Sequence, residues 1–405
     1  MRLVTFSTLY PSSVRPAHGV FVETRLRYLL ASGMVQSRVV CPVPWFPFKQ
    51  ERFGDWSRYA ATPSHEKRNG IEIVYPRYAI PPKVGMTIAP LTLALGALPA
   101  FGRLIRDGYD FDIIDAHYFY PDGIAAVILA RHFGKAVVIT GRGTDLNYIP
   151  RYALPRRMIR WAARRAHGLI TVSRGLEKCL VELGIPGKDV VVLRNGVDLG
   201  RFKPPLEREQ GRAEMGLVRK TLISVGHLVE RKGHHLVIES LRQLPGFDLL
   251  IVGSGPEEAR LRQQVDHLEL NDRVRLLGSV RQEDLPRLYG LADALVLASS
   301  REGWANVLLE SMACGTPVVA SNALGNEEVV LAPEAGCLTT ARTAEAMAEG
   351  VRKLFSSYPD RQATRRYAER FSWDETTRGQ LRLFSKILDD RQSASTGAAH
   401  STFRT

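Results

Sequence analysis

The chain has 405 residues, 45% of them hydrophobic and 24% charged, which supplies apolar material for two cores and excludes a disordered or fibrous protein. Its four cysteines, Cys41, Cys179, Cys314 and Cys337, lie far apart with no C-x-x-C pair, so neither a zinc site nor a disulfide framework is expected. The net charge of +13 is lopsided: residues 1–200 hold 27 Lys/Arg against 15 Asp/Glu, and residues 201–405 hold 28 against 27, which points to an anionic partner, membrane or nucleic acid, for the first half.

Taken in chain order, the first residues read directly as a buried strand, without the apolar stretch and cleavage site of a signal peptide. Strands are predicted at 3–7, 38–43, 71–75, 112–116, 136–140, 169–173 and 190–193, with helical patterns between most of them, such as Phe21–Ala31 and Ile124–His132. Residues 84–101 are uncharged and about long enough to span a membrane, yet contain Gly85, Pro90, Gly96 and Pro99. A soluble or membrane-grazing helix is the expectation there. The second half repeats the theme with strands at 221–226, 248–253, 273–278, 294–299 and 317–321. Continuous apolar strands alternating with helices imply parallel sheets covered on both faces.

Two such series predict an α/β protein of two doubly wound, Rossmann-like domains. The expected boundaries are 1–200 for the N-terminal domain, 201–216 for a linker containing Pro204 and Pro205, and 217–372 for the C-terminal domain. A helix over 373–390 and a disordered Ser/Ala/Thr/Gly-rich tail over 391–405 would complete the chain. Ligands of open α/β sheets bind outside the carboxyl ends of the strands, so two such domains facing each other would enclose a cleft.

The strongest motif runs from Glu302-Gly303-Trp304-Ala305-Asn306-Val307 to Glu310 and on to Ala313-Cys314-Gly315-Thr316-Pro317. It follows a buried strand and opens a helix. The backbone amides near Ala305, Asn306 and Val307 would favour a phosphate group, and Glu310, one turn into the helix, could accept hydrogen bonds from ribose hydroxyls. A second motif, Val225-Gly226-His227-Leu228-Val229-Glu230-Arg231-Lys232-Gly233, also joins a strand to a helix. Arg231 brings a planar fork of donors and Lys232 a compact charge, both suited to a diphosphate.

These two blocks resemble the nucleotide-sugar half of glycosyltransferase family 4, the retaining enzymes with the GT-B fold. Gly253-Ser254-Gly255-Pro256-Glu257, Gly278-Ser279-Val280 and Arg194-Asn195-Gly196-Val197-Asp198 agree with the resemblance. It implies that backbone groups near Val280 hold the nucleobase, that Glu302 holds sugar hydroxyls, and that the C-terminal helix packs back on the first domain. It also implies a role for His117, in Asp115-Ala116-His117, over the donor sugar, and places Asp145, in Gly141-Arg142-Gly143-Thr144-Asp145, near the acceptor. Arg142 stands where the family carries a His, and His227 where many relatives carry Arg. Gly19 matches the family's glycine loop after the first strand, where the backbone must approach closely.

The resemblance implies a metal-independent hexosyl transfer with retention, from a UDP- or GDP-type sugar to a glycan or lipid-linked acceptor, in the cytoplasm or on the inner membrane face. No cofactor is expected. Asp110-Phe111-Asp112 is a literal D-x-D, but it enters its strand at the end away from the ligands and reads as a solvated strand start. His234-His235 is expected to face solvent or pack on the sheet. Arg151, Arg156, Arg157, Arg160, Arg164 and Arg165 crowd one helix around Trp161, a solvated face or a contact for an anionic membrane surface. An epimerase or hydrolase of similar fold, or a non-catalytic basic binding protein, are the rival readings. Nucleic-acid binding is not expected, because continuous apolar strands leave no exposed sheet for stacking aromatics. No strand is followed by G-x-G-x-x-G, which disfavours a dinucleotide enzyme.

Overall fold

The computed structural model of the chain describes residues 1–81 and 85–401. It divides into two compact units, Met1–Arg194 with the chain from Asp374 onward, and Asn195–Trp373.

The first unit contains β1 (Arg2–Phe6), α1 (Val20–Ala31), β2 (Gln36–Val40), β3 (Val43–Pro44), α2 (Asp55–Ala61), β4 (His65–Arg68), β5 (Ile71–Val74), β6 (Arg77–Tyr78) and α3 (Gly85–Arg106). It continues with β7 (Ile113–His117), α4 (Ile124–Phe133), β8 (Ala136–Gly141), α5 (Thr144–Asn147), α6 (Ala153–Ala163), β9 (Gly168–Thr171), α7 (Arg174–Glu182) and β10 (Val190–Val192). The main sheet runs β10-β9-β8-β7-β1-β2-β5-β4, and β3 pairs with β6 in a separate ribbon. All sheet neighbours are parallel except the β4–β5 hairpin.

The parallel strands are apolar throughout because helices cover both faces. On one face Leu3, Ile113, Val138 and Ile170 pack with Leu29 of α1 and with Phe384 and Ile387 of the returning C-terminal helix. On the other, Phe101 of α3 meets Phe6 at 5.6 Å and Phe111 at 5.5 Å, while α3 packs on α4 and α4 on α6. Each such fully buried side chain contributes about 1.5–3 kcal/mol of transfer free energy.

The second unit contains α8 (Arg208–Glu214), β11 (Lys220–Val225), α9 (His234–Ser240), β12 (Phe247–Val252), α10 (Glu258–His267), β13 (Val274–Gly278), α11 (Leu285–Leu291), β14 (Ala294–Leu297) and α12 (Asn306–Ala313). After these come β15 (Val318–Ser321), β16 (Gly336–Thr339), α13 (Ala344–Ser356) and α14 (Arg361–Glu369); α15 spans Trp373–Ser401. The sheet order β13-β12-β11-β14-β15-β16 is the doubly wound 3-2-1-4-5-6 arrangement.

The predicted strands are all present, but four were not foreseen: β3, β4, β6 and β16. The β4–β5 hairpin had a local signal in Asn69-Gly70, whose φ values of 49° and 80° make the tight turn. The expected linker over 201–216 is instead part of the second unit. Phe202 is buried, and Arg208 and Arg212 both bind Asp293, at 2.5 and 3.0 Å. The tail expected to be disordered over 391–405 is helical as far as Ser401. Val84 and residues 402–405 lie outside the described residues; the rest of the apolar segment forms α3.

Candidate active site

In the second unit the order of strands reverses between β11 and β14, the switch point at which doubly wound sheets bind ligands. The Gly226–Gly233 loop leaves β11 and the loop containing Glu302 and Gly303 leaves β14. Neighbouring loops are pressed together: a Cβ on Gly253, at φ 146°, would lie 1.9 Å from the Gly226 carbonyl oxygen, so only glycine fits there. Ser300 N–H donates to the Arg231 carbonyl at 2.8 Å, which ties the two motifs together.

At that junction the Lys232 ammonium donates to Glu302 Oε1 at 2.6 Å, and Ser299 Oγ donates to the same oxygen at 2.6 Å. Arg231 Nη1 stands 3.9 Å from Glu302 Oε2. Burial would push the Glu302 carboxyl up, but the Lys232 charge, the hydrogen bonds from Lys232 and Ser299, and the Arg231 charge hold it below the usual range. Glu302 is therefore a fixed anion with two cations at its edge.

Glu310, on α12, differs. Tyr289 Oη donates to its Oε2 at 2.9 Å, yet burial raises the carboxyl to about 7 against the opposing pull of Tyr289, Arg201 and Lys232. It titrates at neutrality, ready to take further donors. Between the two carboxylates, α12 starts at Asn306 without a side-chain cap; Asn306 N–H donates to the Trp304 carbonyl at 3.2 Å and Leu308 N–H to the Ala305 carbonyl at 3.1 Å. Ala305 and Gly303 are buried and Asn306 and Val307 half-buried; Asn306 Oδ1 accepts from Asn195 Nδ2 at 3.1 Å. Val280 lies half-exposed two residues beyond β13. The structure thus gathers Arg231, Lys232 and Glu302 directly. His234 is buried against Ser224 Oγ at 3.0 Å.

The first unit has its own switch point between β1 and β7. Gly19 opens α1 at φ 69°, and a Cβ there would sit 2.3 Å from the Leu9 carbonyl carbon, the close approach that was expected. His117 is held in a buried network. Its ring is 1% exposed, with Nε2 3.3 Å from Asp115 Oδ2 and Nδ1 2.5 Å from Arg142 Nη2. Arginine only donates, so Nδ1 accepts and Nε2 carries the proton. Burial lowers this histidine to about 4, Asp115 opposing and Arg142 adding. The neutral ring lies beneath the surface, against the Arg142 side chain.

Asp145 is likewise internal. Its carboxylate accepts backbone N–H groups of Phe119 at 2.7 Å, Gly143 at 2.7 Å and Arg142 at 3.1 Å. It organises the loop between β8 and α5. The network extends further than the motifs suggest: Arg25 Nε donates to Gln380 Oε1 at 2.9 Å, and Gln380 Nε2 lies 3.5 Å from Asp115 Oδ2. Buried Asp122, accepting from Thr8 N at 2.6 Å, is raised to about 7 by burial. Asp110 and Asp112 sit at the opposite end of β7, on Lys135 Nζ at 2.6 Å and Arg2 N at 2.8 Å.

Residues 208–371 match the family model for glycosyl transferases group 1, and residues 19–201 that for glycosyltransferase family 4. A putative teichuronic acid biosynthesis glycosyltransferase, TuaC of Bacillus subtilis, is 29% identical over 87% of this chain and 88% of its own. Glycogen synthase of Mycobacterium tuberculosis is 30% identical over 73% of this chain and 75% of its own. The putative colanic acid biosynthesis glycosyltransferase WcaL of Escherichia coli is 32% identical over 59% and 60%. Among solved structures, Anabaena HepE in complex with UDP superposes with a TM-score of 0.72 at 19% identity, over 95% of this chain and 100% of its own. Sucrose-phosphate synthase from Thermosynechococcus elongatus gives 0.78 at 18% identity, over 96% and 100%. The chain belongs to the group 1 glycosyl transferases and is a glycosyltransferase of the family 4 type, with the GT-B fold.

Proposed function

We propose that this glycosyltransferase takes its sugar from a nucleoside-diphosphate donor of the UDP or GDP type, without a metal, and transfers it with retention. The acceptor is a lipid-linked glycan or another cell-envelope polysaccharide precursor, met on the cytoplasmic face of a membrane. The observation that carries the donor half is the pair Arg231 and Lys232 sharing Glu302 at the β11/β14 switch point. HepE, of the same fold, has been solved with UDP-glucose, and TuaC and WcaL are named as putative glycosyltransferases of teichuronic acid and colanic acid biosynthesis.

Breaking the anomeric C–O bond puts negative charge on the diphosphate and positive charge on the sugar ring. A diphosphate near Lys232 and Arg231 competes with Glu302 for their donors, and the charge it gains at the transition state is met by cations already in place. Glu302, partly released, can accept from sugar hydroxyls and fix the ring. Glu310 accepts from the ribose, and the first amides of α12 add donors to the phosphate. In the first unit, the loops holding Gly19, Asp145, His117 and Arg142 shape the acceptor side, with His117 acting through Arg142. Retention means that the acceptor oxygen bonds to the anomeric carbon on the face from which the diphosphate departs.

Calorimetric titration with a panel of UDP- and GDP-sugars tests the donor, and the anomeric configuration of the product, read by NMR, tests retention. Transfer to an acceptor with the donor's configuration is expected. Free sugar or an epimer as the sole product would replace this reading by the hydrolase or epimerase one.

A further inference from the structure

Among the described residues one helix, α3, is long and apolar enough to cross a membrane, with a mean hydropathy of 1.6 over its best window. It does not stand free in this fold. Ala89, Leu93, Ala97, Phe101 and Leu104 are buried, and Gly96 is pressed so closely on the Arg77 carbonyl that a Cβ would lie 2.4 Å from its oxygen. The opposite side is the anomaly. Leu91 and Leu95, one turn apart, expose 53% and 60% of their surface, with Ile88 and Leu98 half-buried beside them. The helix carries no charge from Gly85 until Arg103 and Arg106. A water-facing helix side is ordinarily polar.

The surroundings of this stripe are specific. Trp45 N–H donates to the Tyr78 carbonyl at 2.8 Å, so the segment after β3 emerges from the same ribbon on which α3 packs. There Phe46 lies 5.9, 5.3 and 5.5 Å from Phe48, Phe53 and Trp56, and Trp45 and Phe48 expose 59% and 50%. The Arg52 guanidinium stacks at 4.9 Å on Phe53. On the other flank, beyond α4, Tyr152 just before α6, Leu154, Arg156 and Arg157 on it, and Arg164 and Arg165 just after it are exposed.

We propose that the outward side of α3, the aromatic segment 45–56 and the arginines of α6 form one docking face for a bilayer rich in anionic lipid. The helix lies in the interface rather than across it, because its other side is committed to the core. A second protein chain would use the apolar stripe but has no need of the cations around it. An anionic lipid surface uses both, the leucines entering the acyl boundary, the tryptophans sitting at the headgroups and the arginines meeting phosphate. The inference deepens the reading of a lipid-linked acceptor and rests on it for its use.

The test is co-sedimentation of the full chain with phosphatidylcholine vesicles with and without about 30% phosphatidylglycerol at low salt. UDP and GDP binding is measured in parallel on each variant. Wild type should partition onto the anionic vesicles. Leu91→Asp with Leu95→Asp should lower that partition at least about tenfold, and Trp45→Ser with Phe48→Ser should lower it independently. Arg156→Ala and Arg157→Ala should each cost about fivefold, an effect that fades with salt. Nucleotide binding should be unchanged throughout and reports that each variant is folded. Wild type that ignores anionic vesicles, or an Asp variant recruited like wild type, overturns the proposal. So does a lipid-free dimer that the Asp variant dissolves, which would make a second copy the occupant. Loss of nucleotide binding in wild type would instead defeat the donor reading and leave the docking result standing.

Discussion

Arg231 and Lys232 in the second unit keep 33% and 13% of their side-chain surface and share one carboxylate, whereas Arg25, Asp115, His117 and Gln380 in the first unit keep 1% each. Both groups are charged clusters at the switch point of a doubly wound sheet, and they do different things. Cations that keep some surface can take a phosphate as a further partner while still holding their carboxylate. A buried charge cannot, because losing its partner costs the full desolvation penalty. On this contrast we propose the first cluster for chemistry and the second for the shape of the loops around it.

The largest effect expected on this contrast is on turnover. Lys232→Ala should lower the rate of transfer by about 10²–10³, with donor affinity changed less, because the charge it meets grows at the transition state. Steady-state rates beside calorimetry check this; Gln380→Ala should leave turnover per folded molecule nearly intact, and an equal loss there would break the contrast. Next comes stability. Gln380→Ala should cost about 2 kcal/mol in urea unfolding, since it strips a hydrogen bond from buried Arg25. Removing residues 374–405 should do far more, because Phe384 and Ile387 go with them. Removing 392–405 should cost under about 0.5 kcal/mol.

A smaller effect separates the two glutamates. Glu310→Ala should weaken free UDP or GDP about tenfold, while Glu302→Ala should leave nucleotide affinity within about threefold and impair transfer, each carboxylate being worth about one charged hydrogen bond to its ligand group. The smallest is a pH slope. With its carboxyl raised to about 7, Glu310 accepts from ribose better once ionised, so nucleotide affinity should rise from pH 6 to 8. Glu310→Gln should flatten that rise to whatever the phosphate itself contributes. Stability should also fall in acid. His18, His117 and His234 are lowered by burial to about 4, so through these three groups the folded state binds fewer protons than the unfolded one between about pH 6.5 and 4, while Asp122 and Glu310, raised to about 7, bind more and offset part of that difference. Stability is lost as pH falls through that window.

The second unit was the more legible in sequence. Its chemistry sits in two contiguous motifs, and a motif placed after an apolar strand locates its own side chains. The first unit was less so because its network joins residues distant along the chain. Gln380 reaches Asp115 across 265 positions, and no local pattern encodes that. Arg25 left a trace: it occupies the buried side of α1 with Val22, Leu26 and Leu29, where an arginine demands a partner. Ser299 and Tyr289 were missed because a hydroxyl beside a carboxylate has no spacing rule. For Asp145 and His117 a family motif gives residue types, not their depth: both are buried here, His117 with Nδ1 2.5 Å from Arg142 Nη2.

The central claim is that the diphosphate is neutralised by Arg231 and Lys232 rather than by a bound ion. The most direct measurement is transfer activity of the metal-stripped enzyme in excess EDTA, for wild type, Arg231→Ala and Lys232→Ala. Wild-type activity within about twofold of the untreated enzyme, with losses of about 10²–10³ in the variants, is the expected result. Activity abolished by EDTA and restored by magnesium or manganese would contradict the claim and return attention to Asp110 and Asp112.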